Sequence, residues 1–133
     1  MISWKDRVEM AWGLEQMLGA VFESVSGQVD SEEMIFQTVA GERWIFAHDQ
    51  DCCETVTVND ITGDLADLVG SPLLLAEEFS GSIPADHDDA DYESYTYTYY
   101  RFATQRGGVT VRWLGTSNGY YSESVDLYLT LKP

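Results

Sequence analysis

The sequence predicts an α+β fold, with an N-terminal helix packed on a mostly antiparallel meander sheet of about seven or eight strands. Three observations predict it. Residues 3–18 carry apolar side chains at helical spacing. Most of the chain beyond residue 19 breaks into short alternating runs separated by Gly-, Asn- and Asp-bearing turns. No internal repeat or linker divides the 133 residues, so the chain reads as one domain, 1–133.

Ser3 can cap the helix, with Asp6 three residues on as its capping-box partner. Val8, Met10, Ala11, Leu14, Met17 and Leu18 then recur at i, i+3 and i+4, and Gly19 offers a stop. Gly13 inside the run costs about 1 kcal/mol relative to alanine. Trp4 and Trp12 are expected to cover the sheet. Strands follow at 20–26, 33–39 and 43–48, joined by turns at 28–31 and 40–42. The segment 47–54 interrupts them with polar residues around two adjacent cysteines. Residues 55–58 resume as a strand and 59–63 turn. A short helical turn near 64–69, with Leu65 and Leu68 inward, ends before Pro72, which cannot continue a helix. Residues 73–79 are apolar enough to predict a central strand. The stretch 80–93 holds Asp86, Asp88, Asp89, Asp91 and Glu93, whose mutual repulsion predicts a solvated loop. Val125, Leu127, Leu129 and Leu131 alternate as the inward face of a last strand.

The most distinctive stretch is 95–124. Tyr95, Tyr97 and Tyr99 alternate with Thr96 and Thr98, residues 105–108 form a turn, 109–114 return as the partner strand, and 116–119 turn again. With the loop centred on Arg106 and Gly107, Phe102 faces Val111, Tyr100 faces Trp113 and Arg101 faces Arg112. The last pairing sets two like charges side by side, which calls for an anion between them. Either one of the chain's 23 carboxylates or a phosphate-bearing ligand meets that need. On the ligand reading, the arginines fork to phosphate, the rings stack on a base, and Asn118 and Gly119 supply donors. On the packing reading, the hairpin is an aromatic ladder with arginine laid on tyrosine. Both stay open.

The chain's 44% hydrophobic and 13% aromatic content is that of a folded protein. A net charge of −16 argues against broad-surface binding to DNA or to anionic membranes. It admits a soluble binder of small ligands, a mimic of nucleic acid aimed at a basic protein, or plain colloidal stability. No signal-peptide pattern and no apolar run of membrane-spanning length is seen. Cys52 and Cys53 are adjacent, and neighbours on an extended strand point to opposite faces. Two free thiols in a reducing cytoplasm are therefore expected. His48, Asp51, Cys52, Cys53 and Glu54 form one cluster, whereas zinc draws ligands at defined spacing from separate segments. A polar turn is expected there, and no metal. A Cys–His pair has no third member or oxyanion motif beside it. The acidic loop lacks the glycine and final glutamate of a calcium loop. Without a GxGxxG, Walker or GxSxG motif, neither a cofactor nor an enzymatic activity is expected.

The runs HDQDCCETVTVNDITGDLADLVGSPLLLAEE, ESYTYTYYRFAT and VTVRWLGTSNGYYSESVD resemble the phage Thoeris anti-defence sponge proteins of the first type. They also resemble a wider set of phage proteins sharing the HDQDCCE, GSP and SNGYYSES blocks. The likeness covers about residues 44–127. It implies a non-enzymatic role in the host bacterial cytoplasm: sequestering a cyclic ADP-ribose isomer made by a bacterial TIR-domain enzyme. It further implies homodimers, some assembling into hexamers that also hold cyclic oligonucleotides, with ligand sites between protomers. Arg112 in VRWLG and the loop 116–121 become the first candidates, and the full candidate set is Arg112, Arg101, Asn118, Tyr120, Tyr121 and His48. The alternative is an acidic inhibitor that mimics nucleic acid and binds a basic host defence protein, such as a CRISPR effector, through the carboxylates of 86–93.

Overall fold

A computed structural model describes residues 9–10, 13–50, 53–81, 94–117 and 122–131. Its strands are β1 (Glu9–Met10), β2 (Phe22–Ser26), β3 (Glu33–Thr38), β4 (Glu42–Ala47), β5 (Thr55–Thr62), β6 (Leu75–Gly81), β7 (Ser94–Thr104), β8 (Gly107–Ser117) and β9 (Asp126–Leu131). Two single 3-10 turns, Leu14–Met17 and Leu65–Leu68, lie between them. The strands form two antiparallel sheets. The first has the order β1-β9-β4-β3-β2 and the second β5-β8-β7-β6.

Period-2 alternation gives each sheet one apolar face, and the two faces close on each other. The first sheet contributes Met34, Phe36, Trp44 and Phe46, and the second Val58, Tyr100, Phe102, Val111 and Trp113. Rings interlock across the interface: Phe36 lies 4.9 Å from Phe102, and Phe46 lies 4.9 Å from Tyr100. Each such pair adds about 0.5–1.5 kcal/mol beyond the area it buries.

The structure corrects the α+β expectation: there is no N-terminal helix among the described residues, and the strands make two sheets in place of one of seven or eight strands. Residues 3–8 and 11–12 lie outside the described residues. Glu9 and Met10 pair with Leu129 and Tyr128 as an edge strand. Gly13 is extended (φ 173°, ψ 165°), so no helix runs through it. The apolar spacing taken for a helix serves a 3-10 turn instead, with Met17 fully buried and Leu14 packed against the core. The division into sheets arises after β4, which pairs with both β3 and β9 and so leaves β5 no place beside it.

Two strand predictions also change. The region 73–79 is not central: β6 is an edge strand of the second sheet, and Leu74 is 64% exposed. The apolar signal there belongs to Leu73, which is buried and exchanges backbone bonds with Gly19 and Ala20. The predicted turn at 59–63 is instead a continuation of β5 to Thr62, across an irregularity between Val58 and Asp60. The chain turns at Gly63, whose φ of +109° favours glycine.

One close approach shapes the end of the sandwich. A Cβ on Gly115 would stand 2.5 Å from the Glu123 carbonyl oxygen and 2.7 Å from its Cβ, so the bare glycine is what seats residues 122–125 on β8. Gly115→Ala is therefore expected to cost about 1–3 kcal/mol through overpacking, read as a lower urea midpoint at unchanged slope. Gly108→Ala, whose Cβ meets nothing nearer than 3.5 Å, is the control and should cost less.

Candidate functional site

The outer face of the second sheet carries the arginines and tyrosines. Alternation along β7 places Tyr95, Tyr97, Tyr99 and Arg101 on that face, with consecutive tyrosine rings 6.4 Å apart. Phe79 of β6 stacks on Tyr99 at 5.2 Å and 8°, and remains 46% exposed. Across the ladder Tyr99 opposes Arg112, and the Arg112 guanidinium lies over the Tyr97 ring, 5.0 Å from its centroid. Arg112 Nε donates to Asn59 Oδ1 at 2.7 Å. Asn59 occupies the irregularity in β5, which turns its side chain to the arginine. The half-buried Arg112 is thus fixed from two sides.

Arg101 does not face Arg112. It opposes Thr110, and its nearest carboxylate is Glu77 at 3.9 Å, with both side chains about half exposed. Such a pair is worth little in water. The expected register was two residues off because the turn closes on Gln105 and Arg106, with Thr104 paired to Gly107. The Thr104 hydroxyl accepts from the Arg106 amide at 3.1 Å and donates to the Asp67 carbonyl, locking that turn. A slip of two keeps every side chain on its face and changes only its partner.

His48 is joined to a different part of the molecule. Its Nδ1 donates to the Ser124 carbonyl at 2.7 Å, and Nε2 meets Glu54 Oε2 at 2.8 Å. The Gln50 amide donates to the Glu54 carboxylate at 3.0 Å and to the Glu54 carbonyl at 2.8 Å. With His48 and Glu54 both buried, this knot ties the segment after β4 to the segment before β9. Asn118, Tyr120 and Tyr121 lie outside the described residues, as does the acidic stretch 82–93. The expectation of two free thiols fails: Cys53 is disulfide-bonded, and Cys52 is the only other cysteine in the sequence. The rule that neighbours point apart assumes extended backbone, whereas Cys53 has a φ of +68°.

The inner face of the same sheet has a polar mouth that sequence reasoning missed. Along β7 the inward residues change from Phe102 and Tyr100 to Thr98 and Thr96. There β6, β7 and the segment 122–125 border an open cavity of about 640 Å³, lined by Glu78, Ser80, Thr96, Thr98, Glu123 and Ser124 among others. The Glu123 carboxylate accepts from the Thr96 hydroxyl at 2.7 Å and the Ser117 hydroxyl at 2.5 Å. Glu78 accepts from the Tyr100 hydroxyl at 2.6 Å. The available signal was the switch from aromatic to threonine at alternate positions of β7, which the tyrosines of the other face obscure.

The family described as a domain of unknown function, DUF7448, matches residues 15–127, and the chain belongs to it. Comparison with curated proteins and with solved structures returned no match.

Two phenols, one buried and one half-buried, make stability depend on alkaline pH. Tyr100 is held well above the ordinary tyrosine value by burial first, then by its bond to Glu78 and the charges of Glu78 and Asp126. Tyr128 is pushed up to about 12 by burial and by Asp126 and Asp49. A raised folded value means that the unfolded chain ionises first. Stability is therefore intact below the ordinary value of 10.0 and falls above it on account of both groups, up to about 12 for Tyr128 and over a wider range for Tyr100. Phenolate absorbance followed beside unfolding should show these groups still un-ionised when the exposed tyrosines have titrated, and Tyr100→Phe should flatten the alkaline loss.

Proposed function

We propose that this member of the DUF7448 family sequesters a cyclic ADP-ribose-type signal nucleotide without cleaving it, as a phage anti-defence sponge. The reading rests first on the sequence resemblance over about residues 44–127. The structural observation that carries it is the condition of Arg112. In a chain with 23 carboxylates, the ion pairs among the described residues are His48–Glu54 and Arg101–Glu77, so Arg112 has no carboxylate partner there. Asn59 holds its Nε and Tyr97 lies beneath it, which leaves the terminal nitrogens of the fork as donors for a phosphate.

The surrounding chemistry agrees. Tyr99 and the exposed Phe79 offer a stacked aromatic surface beside the arginine, suited to a base. Tyr97 is buried while Phe79 is 46% exposed, so the array is open only in part, and tight binding needs a second surface over the exposed part. A second protomer would provide one, in keeping with ligand sites between subunits. Non-enzymatic action fits the state of His48, the one histidine among the described residues, whose ring nitrogens are both engaged. Arg101, on the same face and only weakly paired, would add to the local positive field.

Calorimetry with the cyclic ADP-ribose isomer at micromolar protein is expected to show saturable binding, with the nucleotide recovered intact on denaturation. Absence of heat, or recovery of a cleaved product, would contradict the reading. Arg112→Ala should weaken binding by about 10- to 100-fold, the worth of charged hydrogen bonds. Arg112→Lys should rescue little, because a point charge lacks the fork. Both variants should keep the fold by circular dichroism.

A further inference from the structure

We propose that the polar cavity at the mouth of the sandwich is a binding site for an organic ammonium cation. It lies on the inner face of the second sheet, opposite the face that carries Arg112, and stands independently of the nucleotide reading.

Glu123 is the centre of this site. The residue is 9% exposed and lines the cavity together with Thr96. Thr96 and Ser117 donate to its two oxygens, one hydroxyl to each. Both partners are neutral. No lysine or arginine stands among the described residues of the lining, and no ion pair among the described residues involves Glu123 or Glu78. A carboxylate buried without a counter-charge is costly, and neutral hydrogen bonds offset only part of that cost. The position therefore has a charge that the described residues leave unbalanced, beside a space in which a cation can supply the balance.

The lining selects the kind of cation. Glu78 takes one bond, from Tyr100, and Glu123 takes two, so each carboxylate keeps lone pairs for further donors. The hydroxyls of Ser80, Thr98 and Ser124 stand around them as additional acceptors. An ammonium head with three N–H donors matches that set. Calcium gathers six to eight oxygens, usually with several carboxylates, whereas the described lining provides two. A volume of about 640 Å³ also exceeds a bare ion and falls in the range of small-molecule sites. The chain's net charge of −16 raises the local concentration of any cation. The ligand class is thus a small amine with further amino or hydroxyl groups, either a linear polyamine or an amino sugar.

Titration of the full chain with spermidine and with glucosamine, followed by amide chemical shifts at constant ionic strength, tests this. Calcium chloride and sodium chloride serve as comparison cations. The expected result is saturable binding of at least one amine, with shifts centred on Thr96, Thr98 and Glu123. Stronger response to spermidine identifies the polyamine class, and stronger response to glucosamine the amino-sugar class. Glu123→Gln and, separately, Glu78→Gln should each weaken binding at least tenfold. Glu78 is exposed, so its variant remains informative if Glu123→Gln fails to fold. Ser80→Lys, which places an ammonium in the cavity covalently, should abolish amine binding. Unsaturable shifts common to all cations, saturable binding by calcium alone, or amine binding unchanged in Glu78→Gln would each overturn the proposal.

Discussion

The structure depends on the pairing of β7 with β8. Their ladder runs without interruption from Ser94–Ser117 to Thr104–Gly107, so one register fixes the direction of every side chain on both strands. On one face it aligns Phe102 with Val109 and Tyr100 with Val111, and those residues meet Phe36 and Phe46 of the opposite sheet. On the other it brings Arg112 beside Tyr97 and Tyr99. The packed core and the arginine–tyrosine array are then two faces of one hairpin. A slip of one residue would exchange them and destroy the core, so the outer array inherits the precision that the core demands.

The same ladder explains why the inner face becomes polar at one end. Beyond Tyr100 the inward positions are Thr98 and Thr96, and the notch at Gly115 lets residues 122–125 settle over them. Within that segment Glu123 takes the Thr96 hydroxyl bond, and Ser124 receives the His48 bond on its carbonyl. The His48–Glu54 knot therefore holds the cavity wall in place. Carboxylates stand on both faces: Glu78 and Glu123 line the inner cavity, while on the outer face Glu77 pairs with Arg101 and Asp60 opposes Arg112 in the ladder.

Much of the strand content was legible because period 2 is a local signal, and the tyrosine–threonine alternation of β7 could be read directly. What alternation lacks is information about which strands neighbour one another. The break after β4 depends on β9 returning from the far end of the chain, so one sheet and two look alike in sequence. The N-terminal misreading has a related cause: apolar residues at i, i+3 and i+4 serve a buried 3-10 turn as well as a helix, and Gly13 was the clue to the difference. At the site, Arg112 does stand on an aromatic hairpin, as its sequence context suggested. Its holders, Asn59 and Tyr97, were not legible, since the first depends on an irregularity in β5 and the second on a register set by Thr104. The disulfide at Cys53 was missed because a left-handed residue was treated as extended strand.

The central claim is that the outer face of the β7–β8 hairpin, through Arg112, is the nucleotide-binding surface, while the inner face is not. Mapping amide and side-chain chemical shifts on addition of the cyclic ADP-ribose isomer tests it most directly. The account predicts the largest changes at the Arg112 guanidinium, Asn59 and Tyr97, with Thr96 and Thr98 little moved. Changes concentrated at Thr96, Thr98 and Glu123, with the Arg112 resonances unmoved, would contradict it.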